Sequence, residues 1–193
     1  MAKLYFHYGA MNCGKSAALL QVKHNYEERG MNVILCSPSI DTRSGIGVVK
    51  SRTGLESKSC AFTKYTDFFI DLIGISKSRY SCVIIDEAQF LTKIQVLQLA
   101  RIVDTHKIPV MCYGLRTDFR GELFEGSQAL MQYADKLIEN KTICFCGAKA
   151  TMVVRYVDGN PTREGEQVQI GDTEYRSLCR KHYMKAVNKN YEV

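Results

Sequence analysis

Gly9-Ala10-Met11-Asn12-Cys13-Gly14-Lys15-Ser16 sets two glycines, a lysine and a hydroxyl at the G-x-x-x-x-G-K-[ST] spacing. Glycines let successive backbone N–H groups turn inward around phosphate oxygens. Lys15 brings a point charge to the β- and γ-phosphates, and the Ser16 hydroxyl is placed to coordinate magnesium. A helix opening at that point adds the positive end of its dipole. So short a pattern can arise by chance. Here it directly follows the β-prone run 4–8 and opens a helical stretch, the context this chemistry requires. The residues indicate a nucleoside triphosphate site.

A second element, Cys82-Val83-Ile84-Ile85-Asp86-Glu87, is an apolar strand ending in two carboxylates. Asp86 fits the acid that holds magnesium opposite a phosphate loop. Glu87 fits a proton acceptor for the attacking nucleophile, although an acid beside a helix is often only a surface charge. If the nucleophile is water the reaction is hydrolysis, and if it is a substrate hydroxyl the protein is a kinase. Asp86-Glu87-Ala88-Gln89 also resembles the acidic motif of helicases. Those need two such domains and a nucleic-acid track, and this chain is too short for the first and lacks the second.

A third group is Cys144-Phe145-Cys146 with Cys179-Arg180-Lys181-His182. Three thiolates and an imidazole make a closed tetrahedral zinc site, structural because no position remains for substrate. C-x-C is tighter than the usual ligand pair, and Gly147 beside it permits a sharp turn. Incidental thiols and a surface histidine are the plain alternative. Cys36, Cys82 and Cys112 sit inside apolar runs and read as small buried hydrophobes, and Cys60 has no evident partner.

Short apolar runs at 4–8, 32–36, 82–85 and 109–113 alternate with helical stretches at 15–29 and after Thr92. Gly30 is placed to end the first helix, and Thr92 with Gln95 forms a capping box for the second, whose predicted inner side carries Ile94, Leu97, Ala100 and Ile102/Val103. Fully apolar strands alternating with helices predict an α/β domain over residues 1–140, a parallel sheet covered on both faces. Residues 141–193 read as a small appended module, too short for its own apolar core. Its two predicted strands, 152–157 and 167–170, surround the turn Asp158-Gly159-Asn160-Pro161.

The chain has 193 residues, 46% of them hydrophobic, and a net charge of +6, which excludes disorder as the dominant state. The charge excess is spread over both parts with no basic run, so neither a nucleic-acid partner nor a membrane is expected. His7 interrupts the apolar start, which leaves no signal-peptide core, and a soluble, cytoplasmic protein is expected.

The three chemical elements, in this order, resemble the zinc-containing (type II) thymidine kinases, nearest to the enterobacterial members. The resemblance covers nearly the whole chain. It is carried by Tyr8 to Ser16, Asp41-Thr42-Arg43, Ile85-Asp86-Glu87-Ala88-Gln89-Phe90, Tyr113-Gly114-Leu115-Arg116-Thr117-Asp118-Phe119 and Ile143-Cys144-Phe145-Cys146-Gly147. It implies a RecA-like P-loop fold with a C-terminal zinc ribbon carrying a loop called the lasso. It implies γ-phosphoryl transfer from ATP to the 5′-hydroxyl of thymidine or deoxyuridine, with magnesium, a structural zinc and a homotetramer inhibited by thymidine triphosphate.

By the same resemblance Glu87 falls at the family's proton acceptor. Gly9, Ala10, Met11, Asn12, Cys13, Gly14, Lys15, Ser16, Asp41, Arg43, Asp86 and Gln89 fall at nucleotide contacts. Phe90, Leu115, Phe119, Phe124, Ile170, Gly171 and Tyr175 fall at nucleoside contacts, the last three in the lasso. Two departures stand out: the 171–175 stretch is one residue shorter than the animal pattern, and C-x-C with His182 replaces two C-x-x-C pairs.

Overall fold

The structure is a computed structural model that describes residues 1–41, 45–75, 80–168 and 174–188. Arg43, Ile170 and Gly171 therefore lie outside the described residues. The elements run β1 (Leu4–Gly9), α1 (Lys15–Glu27), β2 (Val33–Pro38), β3 (Val48–Lys50), β4 (Glu56–Lys58), β5 (Cys60–Phe62), β6 (Cys82–Ile85), α2 (Lys93–His106), β7 (Val110–Leu115), α3 (Glu125–Tyr133) and β8 (Lys136–Glu139). A six-stranded sheet has the order β5-β2-β6-β7-β1-β8, with every pairing parallel. β3 and β4 form a separate hairpin.

The inner strands β2 and β6 are buried along their whole length, as a covered parallel sheet requires, while β1 and β7 keep some half-buried positions. On one face, Leu19 and Leu20 of α1 pack with Val33, Leu35, Ile84 and Tyr113. On the other, Val96, Leu99, Ile102 and Val103 of α2 and Leu130 of α3 pack with Leu4, Phe6, Ile34, Cys36, Ile85 and Cys112. Burial pushes the thiols of Cys36, Cys82 and Cys112 up, that of Cys82 to about 12, as expected of inert core cysteines.

The capping box forms: Gln95 N–H donates to Thr92 Oγ1 (3.2 Å) and Thr92 N–H to Gln95 Oε1 (3.0 Å). The inward face of α2, however, differs from the expected one. Gln95, Val96, Leu99, Ile102 and Val103 are buried, whereas Ile94 is 69% and Leu97 41% exposed. The reason is Gln95, whose amide also donates to the carbonyls of Thr63 (2.7 Å) and Thr66 (3.0 Å). A polar side chain with its bonds satisfied can face the core, and its doing so rotates the helix away from Ile94 and Leu97.

The remaining chain forms β9 (Thr142–Ile143), β10 (Lys149–Ala150), β11 (Met152–Val157), β12 (Asn160–Thr162), β13 (Glu174–Leu178) and α4 (Arg180–Val187). β9 and β10 make a hairpin, and β11 is the centre of a three-stranded antiparallel sheet between β12 and β13. Of the strand expected at 167–170, Gln167 and Val168 are irregular, and residues 169–170 lie outside the described residues. Asp158 (φ 50°) and Gly159 (φ 76°) close a two-residue turn that sets Asn160 opposite Val157, so the strand begins earlier. This part also gathers a small apolar cluster of its own: Cys144, Ala150, Val154, Leu178, Cys179 and Tyr183. Among the described residues no helix is long and apolar enough to cross a membrane.

Candidate active site

In an open parallel sheet, ligand sites form beyond the carboxyl ends of the strands. Here that edge carries the chemical residues. Gly9 ends β1 and leads into 10–16; Asp86 and Glu87 follow β6; Leu115 ends β7 and leads to Phe119; Asp41 lies beyond β2. A cavity of about 260 Å³ opens among them. Met11, Lys15, Asp41, Glu87 and Gln89 line one part, and Phe90, Leu115, Phe119, Phe124 and Tyr175 another. Phe90 and Phe124 meet edge to face at 6.0 Å.

The loop is built as its composition requires. A Cβ at Gly9 would lie 2.6 Å from Cys13 Sγ and overlap the Asn140 carbonyl. Only glycine lets β1 turn so close to the chain leaving β8. Asn12 and Gly14 both adopt positive φ (62° and 78°), which curls the backbone before α1 begins at Lys15. Lys15 is buried and donates to the Ala10 carbonyl (3.0 Å), with Cys13 Sγ at 3.5 Å. A buried ammonium bonded to its own loop, at the head of a helix, can accept an anion there.

The Asp86 carboxyl is pushed up to about 7, first by burial and then by the neighbouring Glu87 charge. The Glu87 N–H, 2.9 Å from Asp86 Oδ1, and Lys15 pull the other way. A buried carboxylate held this high gains from an added cation. Ser16, half-buried at the head of α1, supplies a second hard oxygen donor.

Glu87 itself stands at φ 47°, ψ 44°, where the chain turns from β6 into the short helix Ala88–Phe90. Its Oε2 accepts from Gln89 Nε2 at 2.6 Å, and Gln89 Oε1 accepts the Leu115 N–H at 3.0 Å. Gln89, expected among the nucleotide contacts, thus also ties the Glu87 carboxylate to the end of β7. A strained turn and a bridging amide hold one carboxylate oxygen at the cavity wall.

The structure brings to the site further residues that had been assigned no role there. Asp118 is buried, and its Oδ1 accepts the N–H groups of Arg120 and Glu122 (both 2.9 Å) while Oδ2 accepts from Gln167 Nε2 (3.0 Å). Gln167, Val168, Val153, Thr117 and Ile40 also line the cavity. The available signal was Asp118-Phe119-Arg120-Gly121, an aspartate opening a turn with glycine at its fourth position.

Cys144, Cys146, Cys179 and His182 converge, all four donor atoms lying within 4.8 Å of one another. Gly147 (φ 84°) makes the tight turn, its N–H donating to the Cys144 carbonyl at 2.9 Å. Cys146 Sγ and Cys179 Sγ are 3.9 Å apart, and His182 Nδ1 lies 3.4 Å from Cys144 Sγ and 3.3 Å from Cys179 Sγ. In tetrahedral zinc, bonds of about 2.3 Å to sulfur and about 2.0–2.1 Å to nitrogen give edges of about 3.8 Å and 3.5 Å. These three separations match those edges. Burial opposes ionisation of the Cys144 thiol, but N–H groups of Cys146 and Cys179 and the His182 ring outweigh it and bring it to about 6. This cluster adjoins the loop: the Ser177 hydroxyl donates to the Met11 carbonyl at 2.7 Å.

Fold and site together define an α/β protein with a central parallel sheet, an acidic pair at its carboxyl edge and a Cys₃His cluster beside them. The sequence model of the thymidine kinase family matches residues 2–183. The thymidine kinase of Salmonella typhimurium is 55% identical over 192 residues, covering 98% of this chain and 94% of that one. That of Shewanella oneidensis is 55% identical over 191 residues, with 97% and 99% covered, and that of Escherichia coli O157:H7 is 54% identical over 190, with 97% and 93% covered. Among solved structures, Bacteroides Pif1 bound to ssDNA aligns with 72% of this chain and 38% of its own at 13% identity and a TM-score of 0.38. That likeness is too slight to carry an argument. The chain belongs to the thymidine kinase family.

Proposed function

We propose that this chain transfers the γ-phosphoryl group of ATP to the 5′-hydroxyl of thymidine or deoxyuridine, releasing ADP and the nucleoside monophosphate. One observation carries the reading beyond family membership. A single cavity joins Lys15 and Glu87 to an aromatic wall of Phe90, Phe119, Phe124 and Tyr175. Its volume is about 260 Å³, on the scale of a small-molecule site.

In this reading the fold is a P-loop, RecA-like domain over 1–140 with a zinc and lasso module over 141–193. Gly9 to Ser16 wrap the phosphates with backbone N–H groups, and Lys15 holds the β- and γ-oxygens. Asp41, Arg43 and Gln89 complete the nucleotide contacts. Glu87 takes the proton from the 5′-hydroxyl as that oxygen bonds to the γ-phosphorus and the bridging bond to ADP breaks. Gln89 aims the carboxylate. Magnesium, held by Ser16 and Asp86, supplies charge neutralisation on the phosphates. Leu115 and the aromatic wall grip the nucleoside, joined by Ile170, Gly171 and Tyr175 from the lasso. A zinc ion held by Cys144, Cys146, Cys179 and His182 supplies the staple that a module with so small a core needs. Family resemblance supports a cytoplasmic homotetramer.

The test is ADP release in a coupled assay. ADP formation that depends on thymidine supports the reading. Release indifferent to thymidine and stimulated by single-stranded DNA would instead mark a zinc-ribbon ATPase acting on nucleic acid.

A further inference from the structure

The charged side chains buried among the described residues are Lys15, Asp86, Asp118 and Arg155. The phosphoryl end accounts for the first two. Arg155 has no part in the transfer as written, yet it is 2% exposed. Its charge meets no carboxylate among the described residues, and its Nε has no hydrogen-bond partner. An apolar side chain would fill the same space at lower desolvation cost.

Its placement shows what the guanidinium does that an apolar group could not. Arg155 lies on the central strand β11, opposite Thr162 of β12 on one side and Tyr175 of β13 on the other. The excursion 163–168 leaves the sheet from β12, and Arg155 sits at its base. Nη1 donates to the Glu166 carbonyl at 3.0 Å, and Nη2 donates to that of Glu164. The guanidinium carbon stands 3.8 Å from the centre of the Phe119 ring, a close cation–π contact. Gly165, between the two carbonyls, takes φ 98°, and a Cβ there would run into Nη2. One planar fork therefore spans two carbonyls of the excursion while lying on an aromatic wall of the cavity.

We propose that Arg155 is the positioning residue of the nucleoside pocket. It locks 163–168 against the Phe119 wall, so that Gln167 and Val168 stand in place before a nucleoside arrives. The Asp118–Gln167 bond closes the same clasp from the opposite loop. Ordering this stretch in advance lowers the entropy lost on binding. The proposal rests on the phosphoryl-transfer reading above and concerns only the thymidine side of it.

The test uses the full chain and three variants. Arg155→Met keeps an unbranched stem on Phe119 and removes the fork; Arg155→Lys keeps a charge on the ring but cannot span both carbonyls. Gly165→Ala disturbs the clasp from an exposed loop position and spares the core. Arg155→Met and Gly165→Ala should raise the KM for thymidine about tenfold or more, with the KM for ATP within about twofold and kcat largely kept. Arg155→Lys should recover part of the loss. Trypsin cleavage after Arg163, mapped by mass, should also accelerate in Arg155→Met and Gly165→Ala without nucleoside, because the freed segment opens more often. Parallel rises in both KM values, or wild-type cleavage and thymidine KM in a folded variant, would overturn the proposal. Should Arg155→Met not fold, Gly165→Ala decides alone. Wild-type enzyme inactive on thymidine would sink the reaction reading, while the cleavage comparison would still judge the clasp.

Discussion

Replacing Glu87 by Gln separates chemistry from binding at this site. The amide is nearly isosteric and can stay in the turn at φ 47° that positions residue 87. Its carbonyl oxygen can still accept from Gln89 Nε2, so the bridge to Leu115 N–H survives, although the 2.6 Å bond loses its charge assistance. That loss is about 1 kcal/mol and falls on the free enzyme. Loss of the proton acceptor is larger: general base catalysis is worth about 10²–10⁴ in rate, or about 3–5 kcal/mol of barrier. Meanwhile Asp86 loses the neighbouring charge that helps push its carboxyl up, so it ionises more readily and the phosphate end is not weakened. Glu87→Gln should thus lower kcat by about 10²–10⁴ with ATP affinity equal to wild type or slightly better. Steady-state ADP release gives the first quantity and titration calorimetry with ATP the second. Weakened ATP binding with kcat near wild type would refute the assignment and make Glu87 a nucleotide contact.

Lys15→Ala should behave differently, reducing kcat and ATP affinity together because the ammonium serves both bound phosphates and the transition state; normal turnover would remove the phosphate-loop assignment. Metal analysis of protein purified without added zinc should find close to one zinc per chain, and Cys179→Ser should lower it. The same variant should raise the KM for thymidine far more than that for ATP, with Tyr175→Ala milder in the same direction; equal weakening would make the zinc module a general staple. Asp86 makes one contribution to the pH dependence of stability, its folded value of about 7 lying above its unfolded value near 4. Its contribution is full below about pH 4 and is lost as pH rises through about 7, on the order of 4 kcal/mol. Without magnesium or nucleotide, Asp86→Asn should flatten that decline in urea unfolding, and an unchanged slope would remove Asp86 as its source.

Apolar runs such as 82–85 could be read from sequence because a strand covered on both faces needs no pattern beyond continuous apolarity. α2 was less legible. Its apolar residues at 94, 96, 97, 99, 102 and 103 fit two helical faces, and only the carbonyls of Thr63 and Thr66, distant in sequence, draw Gln95 inward and decide between them. β13 was missed because it pairs with β11 across residues 163–173, and no local turn announces that pairing. At the site, the curled turn at 9–14, the acidic pair beyond β6 and the convergence of the four Cys and His donors were legible because each group lies at short spacing in the chain. Gln89 as the aimer of Glu87 and Asp118 as the partner of Gln167 were not, since their partners come from other strand ends.

Transfer to a nucleoside hydroxyl can be followed by the fate of the γ-phosphoryl group. Purified protein is incubated with γ-labelled ATP, magnesium and thymidine, and the products are separated by chromatography. Label is expected in thymidine 5′-monophosphate, one equivalent for each ADP formed, with almost none in free phosphate. Label appearing only as inorganic phosphate, at a rate indifferent to thymidine, would contradict it.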